Sequence, residues 1–440
     1  MRAMQQPRFP AKAALALAVV LLAALVLIPL AACGDEEEGG TPGATPTAAA
    51  TETATPAANP GASTPGVTDS EIIIGGYLPL TGITGPVYKM LGDAARAYTS
   101  YVNEELGGVC GRTVVLKMYD DRDSEDGGLE AARRLVEEDK VFAVALSTRY
   151  AAMDYLNEEG VPHLCSMNVS EKFSRDPQKY RWVTQGIPSY RTVAWNMAEW
   201  ISEEHPGKKV AALWPNDENG REGLAGLQDA LDPSINELVA DESVELTAID
   251  VRPQMLRLKN SGAEVLAIFT NIAQTAQALK MAERLDWHPA LPAFYGNADA
   301  LLFQYVSPEE VEGLITFHAF KMPEWTDDPA VAEHHRILAQ YGGPAPGIFT
   351  IFIQIMGEII VESLNRCCDN LTRECVMDAN RSFRNWRSEL LYPGMYLNTS
   401  ETDLRFLQGG PGMQVVLEDG KPKWEVYREE PYYFFLEGEE

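Results

Sequence analysis

Beyond about position 66 the chain alternates short, nearly uninterrupted apolar runs with amphipathic stretches of helical period. That rhythm restricts its fold more than any other feature. The run EIIIGGYLPL (71–80) is followed by KMLGDAARAYTSYVNEEL (89–106), in which Met90, Ala94, Ala97 and Tyr101 fall on one helical face. RTVVLKMYDD, DGGLEAARRLVEEDK, VFAVAL, AAMDYLNEEG and VPHLCS continue the series. A second series runs through VAWNMAEWISEEH, KKVAALWP, REGLAGLQDALD, EVLAIFT and TAQALKMAERL. Strands that are apolar throughout, rather than alternating, are those of a parallel sheet with helices on both faces. The fold expected is therefore α/β, and about 370 residues exceed what one core organises, so two lobes are expected.

In open parallel sheets ligands collect beyond the carboxyl ends of the strands. Leu80 and Thr81 follow the first strand. Ser147, Thr148, Arg149 and Tyr150 follow the third, and Met167 and Asn168 the next. In the second series Asn219 follows VAALWP, Asn271 follows VLAIFT, and Asn297 follows PAFYG. Short hydroxyl and amide side chains there suit a small polar ligand, especially an anionic group at helix-end amides. Capping of the following helix is the plainer role for any one of them. A site is expected because all these ends face one cleft between lobes.

The amino-terminal region answers a different question. Arg2, Arg8 and Lys12 precede an uncharged stretch from Ala13 to Ala32, the layout of a secretory signal peptide. Its length is also near that of a membrane span. Leu30-Ala31-Ala32-Cys33 resembles the bacterial lipoprotein box, which implies acylation of the Cys33 sulfur and cleavage before it. The tract that follows is acidic from Asp35 and then almost entirely Thr, Pro, Ala and Gly. Such a composition cannot offset its chain entropy by burial and reads as a spacer.

The whole chain carries a net charge of −28, from 36 Lys and Arg against 64 Asp and Glu. Loss of the three cations before Cys33 takes it to −31. So acidic a chain is not built to neutralise nucleic-acid phosphates. Of the remaining cysteines, Cys367, Cys368 and Cys375 lie close together, and one disulfide among them is expected outside the cytoplasm. Cys110 and Cys165 pair only if the fold brings them close. Glu333-His334-His335 has metal-ligand residue types, but adjacent histidines on a helix diverge, and a solvated face is the expected role. The stretch DDRDSED lacks the spacing of a calcium loop and reads as helix capping and a turn. No nucleophile elbow, HExxH or phosphate loop is present, and no cofactor is implied.

Here a resemblance becomes specific. GVTDSEIIIGGYLPLTG, EAARRLVEEDKVFAVALS, MDYLNEEGVPHL, SYRT, LWPNDENGREGLAGLQDAL, DNLTRECV and VVLEDGKPKW, in that order, resemble type I periplasmic binding proteins of the leucine/isoleucine/valine-binding kind. The resemblance implies two Rossmann-like lobes with parallel sheets, joined by a three-crossing hinge and closing on a solute between them. It implies a signal peptide over 1–32 and a lipidated Cys33 with spacer over 33–67. Lobe 1 would comprise 68–187 plus 319–397, and lobe 2 188–318 plus 398–440. The crossings would fall near Gln185–Tyr190, Thr316–Phe320 and Tyr396–Thr399. Carried over residue by residue, Ser147 and Thr148 fall where the family holds a ligand carboxylate. Met167 and Asn168 stand for its Ala-Thr pair, Tyr190 lies within SYRT, and Asn219 replaces a common aromatic. The acid that neutralises an α-ammonium has no clear counterpart, with Asp299 one position adrift. Arg149, turned inward, would suit a carboxylate, and turned outward would pair with a neighbour such as Asp154.

The expected role is thus a monomeric, non-enzymatic, membrane-anchored lipoprotein outside the cytoplasm. It would hand a small polar solute (amino-acid-like, carboxylate, or urea or amide) to the permease and ATPase subunits of an ABC importer. A ligand-sensing subunit of a membrane receptor is the alternative. An extracytoplasmic enzyme on this scaffold would need a nucleophile–base pair, and none of the six histidines has a recognisable setting.

Overall fold

The fold is that of a computed structural model, which describes residues 64–433 apart from Ile83, Val169 and Ile249. The apolar leader, Cys33 and most of the spacer lie outside the described residues.

Lobe 1 opens with β1 (Glu71–Leu78), α1 (Gly85–Glu104), β2 (Thr113–Asp120), α2 (Glu125–Glu137), β3 (Ala143–Val144), α3 (Tyr150–Glu158), β4 (His163–Ser166) and β5 (Val183–Gln185). These strands form a parallel sheet in the order β2-β1-β3-β4-β5. A Cβ at Gly75 in β1 would meet Leu135 Cδ2 of α2 at 2.9 Å, so glycine there lets helix and sheet approach closely.

Lobe 2 follows with α4 (Tyr190–Glu204), β6 (Val210–Pro215), α5 (Glu218–Ala230), β7 (Leu238–Val244), α6 (Arg252–Asn260), β8 (Val265–Ile268), α7 (Ile272–Arg284), α8 (Pro308–Val311) and β9 (Ile315–Phe317). Its parallel part is ordered β7-β6-β8. The helix starts are set locally. Ser124, Ser189, Asp217 and Asn271 cap α2, α4, α5 and α7, each accepting the backbone N–H three residues on.

The chain then returns to lobe 1 as α9 (Pro329–Gln340), α10 (Ile348–Asn365) and α11 (Arg373–Asn380). Helix α10 is long and apolar enough to cross a membrane, yet most of that surface is buried, and it packs on α1 as a core helix. Arg373 of α11 donates to the backbone oxygens of Phe142 and Val141 beside β3. The last elements, β10 (Gly409–Glu418) and β11 (Lys421–Tyr433), form an antiparallel hairpin that pairs with β9. Lobe 2 therefore carries an antiparallel ladder beside its parallel strands. Tyr432 in β11 is fully buried and packs in the core; Phe434 and Phe435 lie outside the described residues.

Three sequence expectations change here. Cys110 does not pair with Cys165. It bonds Cys368, and Cys367 bonds Cys375, with Cα separations of 5.2 and 6.0 Å. Cys110 lies against the end of α10, whereas Cys165 lies inside β4 with its thiol intact and fully buried. The pair His334-His335 is not a solvated face: His334 is fully buried, bonded to Gln354 Oε1 and Thr350 Oγ1 at 2.8 Å each. His335 bonds the Pro323 carbonyl oxygen at 2.9 Å. Among the described residues no group of three or more His, Cys, Asp or Glu is placed to hold a metal. Finally, DDRDSED is more than a solvated turn, because Asp121 within it is fully buried.

Candidate functional site

The strand ends of lobe 1 are largely tied to one another. The Leu80 N–H and the Thr81 hydroxyl both donate to Asp120, at 2.9 and 2.6 Å. Ser147 is fully buried with its hydroxyl against His163 Nε2. Burial pushes His163 down to about 3, so the ring is neutral and serves Ser147. Asn168 donates to the Thr148 carbonyl oxygen at 2.9 Å and accepts from the Ser170 N–H at 2.8 Å, while Met167 is buried beside it. The Thr148 hydroxyl is buried and has no hydrogen-bond partner among the described residues.

Arg149 does not reach into the cleft, nor does it pair with Asp154. Its guanidinium binds Asp121 in two-pronged fashion at 2.9 and 3.1 Å, and Asp123 at 2.7 Å. Asp154 is held instead by Lys172 at 3.0 Å. A planar guanidinium prefers two carboxylates already fixed beside it to a solute.

In lobe 2, Asn271 is exposed and caps α7. Asn297 is fully buried, donating to the carbonyl oxygens of Thr270 and Phe294 at 3.0 and 3.1 Å. Its own side-chain oxygen has no hydrogen-bond partner among the described residues. Tyr190 lies against Phe269 and Phe294, with ring centroids 6.1 and 4.7 Å away. Burial raises its hydroxyl pKa far above the ordinary range, helped by the field of Asp217 and the nearby hydroxyls of Tyr295, Tyr88 and Tyr150. Those four tyrosines come from both lobes and make an aromatic, acid-flanked meeting place.

Hydrogen bonds join the lobes around it. The Tyr150 hydroxyl donates to Asn219 Oδ1 at 2.5 Å. The Ser170 hydroxyl donates to Glu222 Oε1 at 2.9 Å, and the Glu171 N–H reaches both Glu222 oxygens at 3.0 Å. Asp299 Oδ2 accepts the Ile348 N–H at the start of α10, at 3.1 Å. Desolvation raises the carboxyl pKa of both acids, that of Glu222 to about 7, against the bonds that stabilise each charge.

Beneath the cleft lies a charged knot. Arg405 is fully buried and grips Asp403 through Nε at 2.8 Å and Nη2 at 2.6 Å. Its Nη1 reaches Glu171 Oε1 at 3.3 Å and Thr192 Oγ1 at 3.2 Å. Ser189, the α4 cap, also donates to Glu171 at 2.8 Å. The backbone of Gln185 pairs with Leu404 and Phe406, so this knot sits where the two lobes' chains run side by side.

Of the residues expected from sequence, Tyr150, Tyr190 and Asn219 are brought together. Leu80, Thr81, Ser147, Arg149, Met167, Asn168, Asn271 and Asn297 are engaged within their own lobes. Sequence reading missed Tyr88, Ser170, Glu171, Glu222, Tyr295 and Arg405. Only Asp299 had been noticed, as an acid one place out of register.

Comparison with known proteins decides the family. Residues 71–420 match the family model described as Periplasmic binding protein. The chain belongs to the periplasmic binding protein family. It is a family of solute-binding proteins rather than enzymes, and the type is that of the leucine/isoleucine/valine-binding proteins. A Leu/Ile/Val-binding protein homolog 3 of Brucella melitensis is 29% identical over 204 residues, 45% of this chain. The match spans about half of that relative, 54% of its length. Three solved structures share the two-lobed fold of this periplasmic binding protein at a TM-score of 0.70. A fatty acid ABC transporter substrate-binding protein from Thermomonospora curvata is 19% identical, covering 84% of this chain and 94% of its own. A solute-binding protein from Rhodopseudomonas palustris, in complex with 3,4-dihydroxybenzoic acid, is 17% identical, covering 82% and 97%. A branched chain amino acid ABC transporter protein from Thermus thermophilus, with bound valine, is 18% identical, covering 83% and 96%.

Proposed function

We propose that this chain captures a small polar solute outside the cytoplasm by closing its two lobes, and hands it to the permease of an ABC importer. The observation that carries the reading is the set of contacts across the cleft: Tyr150 to Asn219, Ser170 and Glu171 to Glu222, and Asp299 to the start of α10. Each group is one that water satisfies when the lobes part, so closure exchanges water bonds for protein bonds at small net gain. A solute touching both lobes then supplies the bias. The paired backbone at Gln185 and Leu404–Phe406 supports a third crossing there rather than at Tyr396–Thr399. Thr399 remains bonded to Phe383 on the lobe 1 side.

Valine, dihydroxybenzoate and fatty acid named in the relatives' descriptions support a small organic solute. With Arg149 engaged by Asp121 and Asp123, and Asp217, Glu218 and Glu222 around Tyr150, an amino-acid-like or amide-bearing solute fits better than a simple carboxylate. Isothermal titration against matched amino acids, amides and carboxylates tests this. Binding confined to carboxylates would reject the solute class, and no binding to any would reject the capture role. Anchoring through Cys33 is part of the proposal. Replacing it (C33S) should move the protein from the membrane to the soluble fraction.

A further inference from the structure

We infer that Asp299 is a latch between the lobes: from lobe 2 it supplies the amino-terminal cap that α10 of lobe 1 lacks, and so favours the closed state. This rests on the proposed closure and adds to it the residue that holds α10 when the lobes meet.

The amino end of α10 has no side-chain cap of its own. Its N-cap position is Gly347, whereas α9 and α11 on either side are capped by their own Asp328 and Thr372. The first N–H groups of a helix find no partner within it, and this helix starts among the buried residues Ile348, Ile351 and Phe352. Thr350 Oγ1 takes the Gly347 N–H at 3.0 Å and leaves that of Ile348 to be served from elsewhere.

The acceptor comes from the other lobe. Asp299 Oδ2 accepts the Ile348 N–H at 3.1 Å, and the Phe349 N–H also supports its charge. Oδ1 of the same carboxyl accepts the Leu301 N–H at 2.9 Å, within the short turn Ala300–Gln304 of lobe 2. One almost wholly buried carboxylate therefore gives one oxygen to each lobe. Gly347 makes the approach possible, because a Cβ there would stand 2.6 Å from Asp299 Oδ2. Its φ of −155° is ordinary extended backbone, so glycine supplies room and not conformation.

The direction of the effect follows from the contacts. Each is an N–H donated to the carboxylate, and the amino end of a helix favours negative charge. Glu324 is a like charge within reach, so the N–H groups must answer both its repulsion and the burial. Engaged in this way, Asp299 is not free to neutralise an ammonium on the solute. When the lobes part, α10 keeps only water at its Ile348 N–H. Replacing an N-cap aspartate by alanine shifts an equilibrium about fivefold, and here the shift falls on the closed form alone. A solute that binds only that form would lose affinity in the same proportion while the form is the minor one.

The test is the distance distribution between spin labels on the two lobes, at L106C and I235C, in the purified full chain at pH 7.5 without added solute. Both positions are exposed loop residues. In D299A the closed-to-open ratio should fall about fivefold, and amide hydrogen exchange at Ile348 should quicken. D299N keeps one acceptor oxygen for two N–H groups and should lie between D299A and wild type. G347A leaves the carboxyl in place but denies it room, and should open the lobes as D299A does. Where wild type closes only on adding L-valine or 3,4-dihydroxybenzoate, the same factor should appear in the concentration needed for half closure. A ratio unchanged in D299A overturns the latch, even if amide exchange quickens, and leaves Asp299 a local cap. In that case closure on adding either solute leaves solute capture standing. A single rigid distance under all conditions removes both. Circular dichroism melts of each variant separate opening from unfolding.

Discussion

Replacing Arg405 by methionine is the sharpest probe of how the hinge is held. The side chain is fully buried, with Asp403 bound at 2.6 and 2.8 Å, Glu171 at 3.3 Å and the Thr192 hydroxyl at 3.2 Å. Methionine fills much of the volume but leaves two buried carboxylates without this cation. Breaking a buried ion pair from one side costs about 3–5 kcal/mol, because the charge left behind stays desolvated. At about 2.1 cal/mol/K per residue over roughly 370 residues, unfolding entropy is near 0.8 kcal/mol/K, so a loss of 4 kcal/mol lowers Tm by about 5 °C. The assay is a thermal melt of wild type and R405M at pH 7.5. Lysine at the same place should recover only part of the loss, since it cannot bind Asp403 through two nitrogens. A Tm within about 1 °C of wild type at pH 7.5 would refute the reasoning that this arginine neutralises the knot.

Y150F removes one bond across the cleft and leaves each lobe's packing alone. The closed-to-open ratio, read as the distance between spin labels on the two lobes at the exposed positions L106C and I235C, should fall about fivefold, or about 1 kcal/mol, with Tm nearly unchanged. C110S opens a bridge between residues 258 apart and should cost about 2–5 kcal/mol by urea unfolding, whereas C165A should behave like a modest core truncation. Burial holds His163 at about 3 and His318 at about 4, so the folded chain refuses protons that the unfolded chain takes up below 6.5. Stability should fall as pH drops from 6.5 toward 4, and H163Q should flatten that slope whatever it does to stability at neutral pH.

Features written within a few residues were legible in the sequence. The caps Ser124, Ser189, Asp217 and Asn271 stand directly before their helices, and β1, β6 and β8 are compact apolar runs. Strand β7 escaped because LVADESV is an edge strand, only partly buried and studded with acids. The β10–β11 hairpin had a usable signal in Asp419-Gly420, both left-handed, at a tight turn between paired Glu418 and Lys421. The cleft was harder. Arg149 had acids both upstream and downstream, and only the fold decides that Asp121, 28 residues back, receives it. Glu222 looks like any helix-surface glutamate until a loop 51 residues away covers it. Desolvation is a property of the folded surroundings, and no spacing rule reports it.

The two disulfides meet at neighbouring residues, and that sets a problem for oxidative maturation. Cys367 finds its partner eight positions on, while Cys368 must capture one 258 positions back. A slip of a single residue joins Cys110 to Cys367 and leaves Cys368 facing Cys375, a non-native set of similar loop lengths. Chain entropy scarcely separates the two sets, so the choice falls to tertiary packing around the end of α10. Yield of correctly crosslinked protein should therefore depend on a catalyst of thiol exchange in its compartment.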